Sequence, residues 1–218
     1  MTLRLYSYGH SVYSWIARLA LAEKNLPYEL IEVDPFEENP PAEFLKINPL
    51  CRVPALCDGE FCFYETASIT RYIDEAFSGA VLQPQSAEAR ALQNQVIAIL
   101  DNDGYWPLVR QVFVHSFYNS LFFEAVDEQE LEEGLNKSER VLSVLENLIR
   151  GEQHIVGNEF SLADIHTFPM LAYLAASSEG SSLLAKFKKL SLWYEAQLKR
   201  TTIHETCPDL PLLKVDGP

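Results

Sequence analysis

Along the first eighty residues the spacing of apolar positions changes repeatedly. Leu3-Arg4-Leu5-Tyr6 alternates, so residues 3–7 read as a strand. Residues 11–24 switch to a helical period, with Ile16, Leu19, Ala20 and Leu21 on one face and Ser11 or Ser14 available as a cap. Residues 28–33 read as a second strand behind Leu26-Pro27, and residues 42–47 as a short helix after the Pro40-Pro41 break. Residues 53–57 and 61–64 form a hairpin around Asp58-Gly59, and a helix covers residues 66–77.

That order is strand, helix, strand, helix, strand, strand, helix, a thioredoxin-like α/β layer. Past residue 78 the pattern changes. The stretch GAVLQPQS at 79–86 is a linker by its Gly, Pro and polar content. Beyond it the periodicity is helical only, over roughly 87–121, 127–150, 161–177 and 181–200. Ser161-Leu162-Ala163-Asp164 has capping-box spacing, with Phe160 and Ile165 as a hydrophobic staple around it. The chain therefore divides into an α/β domain at 1–78, a linker at 79–86 and an all-helical domain at 87–218.

Composition narrows the partners. The formal net charge of −14 argues against nucleic acid and anionic membrane surfaces, both of which need a basic face. No apolar run is long enough to span a bilayer, and Met1-Thr2 leads straight into the first strand with no signal-like region. The four cysteines (Cys51, Cys57, Cys62 and Cys207) have neither CxxC nor zinc spacing. Cys57 and Cys62 flank the hairpin but are not directly opposed when Asp58-Gly59 forms the turn. Reduced, buried thiols in a cytoplasmic protein are the reading that follows.

Three local features carry chemistry. Ser11 projects where a strand ends and a helix begins, a place whose free amides and partial positive charge favour an anion. A serine there is a poor base, but it can donate to a bound thiolate and lower the thiol pKa; a drop of two units is worth ~2.7 kcal/mol. Val53-Pro54 opens a strand. A cis bond there leaves the Val53 backbone free to pair with an extended peptide ligand. Glu65-Thr66 offers a carboxylate for an ammonium, and a hydroxyl with helix-end amides for a carboxylate. Taken singly, each has a commoner meaning: an N-cap, an edge-strand proline, a helix start behind a surface acid.

Together they resemble a known family. LYSYGHSVYSWIARLALAEKNLPYELIEVD and FLKINPLCRVPALCDGEFCFYETASITRYIDE look like the N-terminal domain of cytosolic glutathione transferases, and FSLADIHTFPML like the capped helix of their C-terminal domain. The likeness spans about the whole chain. It implies Ser11 as the catalytic serine, Val53 with Pro54 as backbone partner of the cysteinyl unit, and Glu65 with Thr66 as the γ-glutamyl clamp. Arg52 stands where the glycyl end is often contacted. The start of the chain is similar to the zeta class, whose Ser-Ser-Cys run is replaced by Ser11-Val12-Tyr13, while residues 102–113 resemble phi-like and bacterial transferases. The function implied is conjugation of glutathione, the co-substrate, to a small electrophile. A maleylacetoacetate isomerase-like activity and a non-catalytic binding protein of the same fold are the alternatives.

Tyr105, Trp106, Arg110 and Phe113 recur at helical spacing on the long helix from residue 87 and form a candidate electrophile bed, unless the stripe is simply core. His10, His115, His154, His166 and His204 show no ligand spacing, so no metal is assigned. A homodimer is expected, partly from the resemblance. Ile69, Ile73, Val96 and Leu100 also exceed what one core face needs, with Arg71 and Arg90 among them.

Overall fold

The computed structural model describes residues 2–119, 125–149 and 153–210. The chain forms two compact units: residues 1–82 together with 205–209, and residues 83–204 together with 210–218.

The first unit is built on a four-stranded sheet of order β2-β1-β3-β4, from β1 (Leu3–Ser7), β2 (Tyr28–Glu32), β3 (Ala55–Asp58) and β4 (Phe61–Tyr64). β1 runs parallel to β2 and antiparallel to β3, and β3 is antiparallel to β4. Helices α1 (Val12–Glu23) and α3 (Thr66–Ala76) pack together and bury Trp15, Ile16, Leu19, Ile69 and Ile73. A short α2 (Ala42–Ile47) buries Phe44 with Val33 and Ala55. Trp15 Nε1 donates to Thr206 Oγ1 at 3.0 Å, tying the 205–209 segment to this unit. At the end of α1, buried Lys24 donates to Asp74 Oδ1 (3.3 Å) and to the Asp74 carbonyl (3.1 Å). The same Asp74 oxygen accepts from Leu82 N at 2.8 Å, so one carboxylate joins α1, α3 and the start of the linker.

The second unit is helical among its described residues. α4 (Ala87–Ile99) continues into two wider segments, π1 (Leu100–Gly104) and π2 (Trp106–Tyr118), in which Tyr105 N–H donates to Leu100 O and Asn119 N–H to Val114 O. These are i→i+5 bonds, one residue longer than in an α-helix. Then come α5 (Glu128–Leu148), α6 (Leu162–Ala175), α7 (Ser178–Ala185), α8 (Lys188–Gln197) and α9 (Thr201–Thr206), whose last two residues are counted with the first unit. α6 is apolar nearly all round and every residue of it is buried, which makes it the axis of this unit. α5 reaches π2 at Gly134, where a Cβ would fall 2.5 Å from Gln111 Cβ. Only glycine fits there. Glu146 of α5 accepts the Lys189 and Leu190 amides at 3.0 and 2.9 Å, capping the open end of α8.

Four expectations change. The single helix read over 181–200 is two shorter ones, because Ser177 caps α7 and Glu146 captures the first amides of α8. The long helix from residue 87 widens after Ile99, and its last expected residues, 120 and 121, lie outside the described residues, as does residue 150. Cys57 and Cys62 are directly opposed and disulfide-bonded, with Cα atoms 4.1 Å apart. The two-residue turn is Gly59-Glu60, with Asp58 facing Phe61, so the ladder shifts relative to an Asp58-Gly59 turn. Finally, Ile69, Ile73, Val96 and Leu100 are fully buried within the single chain, so these four do not form an exposed apolar face for a partner. Among the described residues, no helix is long and apolar enough to cross a membrane.

Candidate active site

Register brings the three chemical features of the first unit to one end of the sheet. Tyr6 pairs with Ala55, and Ala55 with Tyr64. The loop after β1, the Val53-Pro54 step before β3 and the Glu65-Thr66 step after β4 therefore leave the sheet side by side. Adjacent strands lie about 4.8 Å apart, so the outer two features are separated by about two strand spacings.

The loop from β1 into α1 is held by hydrogen bonds. Ser11 N donates to Tyr8 O (3.0 Å), closing a turn over Gly9 and His10. Tyr8 N donates to Ser14 Oγ (3.3 Å), and Gly9 N to Glu32 Oε1 (2.7 Å). Ser11 is the N-cap of α1, and its Oγ accepts from Ser14 N at 3.2 Å. That bond uses an oxygen lone pair, so the hydroxyl proton is not consumed by capping. Ser14 is fully buried, whereas Ser11 is half-buried.

Val53-Pro54 is cis. The segment before it is fastened by Asn48, a buried residue that the sequence reading missed. Asn48 Nδ2 donates to Arg52 O (2.6 Å), and its Oδ1 accepts from Leu50 N (3.1 Å). The signal was the Asn48-Pro49 dipeptide, a turn marker. Cys51 in this loop and Glu65 after β4 both take positive φ, 51° and 77°, which non-glycine residues adopt at a cost. Glu65 is the N-cap of α3 but makes no capping bond with its side chain; its Oε1 pairs instead with Arg52 Nη2 at 3.1 Å, on the surface. Thr66 is buried at the first position of α3.

In the second unit, Tyr105 and Trp106 are adjacent at the start of π2, and Arg110 lies about one wide turn further on. Trp106 is 56% exposed, while Tyr105 and Arg110 are half-buried. Phe113 is only 4% exposed and packs against Phe117 and Tyr173, with ring centroids at 5.5 and 4.7 Å. Its surroundings are those of a core residue. Ser161 and Asp164 close a capping box at the start of α6. Asp164 Oδ2 accepts from Ser161 N (2.9 Å) and Oγ (3.1 Å), and Oδ1 accepts from Ile155 N (2.9 Å) and Trp193 Nε1 (2.8 Å). Complete burial pushes this carboxyl up from its ordinary range, opposed by its donors and by nearby His154. Among the described residues, no group of three or more His, Cys, Asp or Glu is placed to hold a metal ion.

Residues 5–81 match the glutathione S-transferase N-terminal domain, and residues 102–200 the glutathione S-transferase C-terminal domain. The chain belongs to the glutathione S-transferase family. It is 30% identical over 209 residues to glutathione S-transferase 1 of Dianthus caryophyllus, covering 94% of this chain and 91% of that protein. It is 27% identical to glutathione S-transferase 3 of Zea mays, with 94% of each chain covered. Among solved structures, a glutathione S-transferase III in apo form superposes with a TM-score of 0.83 at 27% identity, covering 98% of this chain and 99% of that one. A glutathione S-transferase from Methylobacillus flagellatus with glutathione bound superposes with a TM-score of 0.76 at 25% identity, over 95% and 100% of the two chains. These plant and bacterial relatives establish a glutathione transferase and do not single out a bacterial subclass.

Proposed function

We propose that this glutathione transferase binds glutathione along the open end of the first unit's sheet and stabilises its thiolate through the Ser11 hydroxyl. The observation that carries this reading is the Ser11 hydrogen bond: Oγ accepts from Ser14 N, and the O–H still has a proton to give. Ser14, the other candidate, also accepts one amide but is fully buried, whereas Ser11 is half-buried. A thiolate facing the N-terminus of α1 meets both the hydroxyl and the helix's partial positive charge. The thiol proton leaves to solvent, the sulfur attacks the electrophilic carbon, and any displaced group departs with the bonding pair.

The remaining assignments follow the chemistry of the ligand. The Val53 backbone beside the cis bond pairs with the cysteinyl unit. Thr66, with the first-turn amides of α3, receives the γ-glutamyl carboxylate, and Glu65 its ammonium. Arg52, ion-paired to Glu65 here, is the cation at this end of the sheet and contacts the glycyl carboxylate by breaking or sharing that pair. The exposed Trp106, with Tyr105 and Arg110, forms the bed for the second substrate, and Phe113 supports it from the core.

A homodimer belongs to the same reading, on grounds different from the sequence's. Phe61, 56% exposed, stacks on Phe63 at 4.9 Å, and both touch Tyr72, leaving an aromatic face over β4 and α3 that a second copy would cover. Light scattering tests this against the chain mass of 24.8 kDa. The Ser11 assignment is tested by titrating the thiolate absorbance of bound glutathione in wild type and Ser11→Ala. An unchanged thiol pKa would remove Ser11 from the mechanism.

A further inference from the structure

We propose that Cys57 and Cys62 form a reversible thiol–disulfide site that exchanges with glutathione and sets the affinity of the hairpin end where glutathione is read to bind. The coupling to affinity rests on that reading; the exchange does not.

The pair sits directly across β3 and β4, with Cα atoms 4.1 Å apart, near the spacing of a narrow antiparallel pair. One register step of two residues further along the same hairpin is Ala55 opposite Tyr64, and beyond it the two strands become the Val53-Pro54 and Glu65-Thr66 steps. The covalent bond therefore clamps the two arms that carry those steps. It encloses only the residues between 57 and 62, and so short a loop gives a disulfide less chain entropy to remove than a long one would. The ladder and the Gly59-Glu60 turn already close the hairpin. Besides its contribution to stability, the bond bears on the geometry of the two arms it joins.

Access is one-sided. Cys57 is fully buried in the inner strand, and Cys62 is half-buried on β4, an edge strand of the sheet. A glutathione thiolate attacks Cys62 Sγ, a new S–S bond forms there, and the Cys62–Cys57 bond breaks with its electron pair leaving on Cys57. A second glutathione thiolate then attacks the glutathione sulfur of this mixed disulfide. Glutathione disulfide is released and Cys62 leaves as thiolate. The two protein thiolates take up the two protons that the glutathione thiols gave to solvent. The protein disulfide has gained two electrons and two glutathiones have lost them; excess glutathione disulfide drives the reverse.

The experiment uses the full chain equilibrated over a range of glutathione to glutathione disulfide ratios. Samples are quenched with an alkylating reagent, and Cys57 and Cys62 are scored by peptide mass, with Cys51 and Cys207 as internal references. Affinity for S-methylglutathione, a thioether that cannot reduce the bond, is then measured by calorimetry on the oxidised and reduced forms. The expected result is that Cys57 and Cys62 become alkylatable together within that range, with an affinity change of about fivefold or more between the forms. Cys62→Ser, at the half-buried position, should bind as the reduced form does, with Cys62→Ala as the second variant if the first folds poorly. Thiols that stay reduced at every ratio, or a bond that survives excess glutathione, overturn the exchange. Equal affinities for the two forms overturn the coupling. If neither form binds S-methylglutathione, the glutathione-site reading fails and the coupling with it, while the alkylation pattern still decides the exchange.

Discussion

Two serines occupy the same structural position in the two units and have opposite surroundings. Ser11 caps α1 and Ser161 caps α6, both in extended backbone just before a buried helix. What differs is the residue three positions on. Behind Ser161 stands Asp164, which folds back onto the cap's amide and hydroxyl, so that the serine is 3% exposed and its proton is taken. Behind Ser11 stands Ser14, whose amide donates to the cap oxygen while its own hydroxyl turns away to Tyr8 N. An acid at that position completes the cap and closes it. A second serine satisfies the cap oxygen through its amide and does not use the cap's proton. One local choice thus separates a helix start that serves folding from one able to serve an anion.

The closed cap should break most severely. Asp164→Ala removes the acceptor from Ile155 N, Ser161 N and Trp193 Nε1 in a fully buried site. Each orphaned buried donor costs about 1–3 kcal/mol, so a stability loss of about 3–5 kcal/mol is expected, read by denaturant unfolding. Activity per folded molecule should hold. Lost activity with an unchanged unfolding midpoint would make Asp164 a functional group and end the contrast.

The open cap should show the reverse. Ser11→Ala is expected to lower kcat/KM for glutathione conjugation by about ten- to a thousandfold, the range for losing one donor to a developing or bound anion. Stability should fall by only about 1 kcal/mol, the ordinary worth of a cap. On the proposal that the hydroxyl lowers the thiol pKa, the variant's deficit should be greatest at low pH and shrink as pH rises through the unassisted thiol range. A deficit independent of pH would mean that Ser11 acts on something other than thiolate formation.

Ser14→Ala tests whether the intermediate residue is a support. It frees Tyr8 N while leaving the Ser14 amide on Ser11 Oγ intact. A stability loss of about 1 kcal/mol and a fall in kcat/KM of less than about tenfold are expected. A larger loss than that of Ser11→Ala would exchange the roles of the two serines.

How much of this was legible in sequence depends on the range of each interaction. The capping box at Ser161 and Asp164 is a four-residue pattern and could be read directly, as could the helix entrance at Ser11 and the proline before β3. The further acceptor duties of Asp164, to Ile155 and Trp193, could not, because Trp193 lies on another helix. Asn48 was missed although its acceptance of the Leu50 amide is a local asparagine turn that Asn48-Pro49 marked; its second bond, to Arg52 O, is what the dipeptide does not announce. The Cys57–Cys62 pairing turned on a one-residue choice of turn, and a slip of one residue in a hairpin reassigns every partner. Ile69, Ile73, Val96 and Leu100 were offered to a second subunit because periodicity counts apolar positions without counting the faces they meet. In the structure all four, on α3, α4 and π1, are fully buried within the single chain.

The smallest expected effect sharpens the closed cap through its proton. Burial holds the Asp164 carboxyl above its ordinary value, so the native chain binds that proton more tightly than the unfolded chain, whose aspartates titrate near about 3.9. The contribution is fully present below that unfolded value and is lost as pH rises through the native one. Each unit by which the native value is raised is worth about 1.4 kcal/mol. Asp164→Asn keeps one oxygen acceptor and removes the titration. Wild-type stability minus that of Asp164→Asn should therefore decline as pH is raised from about 4 toward neutrality, by an amount that reports the upward shift. Urea unfolding of both proteins at a series of pH values gives this difference with the groups distant from Asp164 cancelled. If the difference grows with pH instead, the four donors outweigh burial, the native carboxyl lies below its ordinary value, and the closed cap is held by an ionised aspartate.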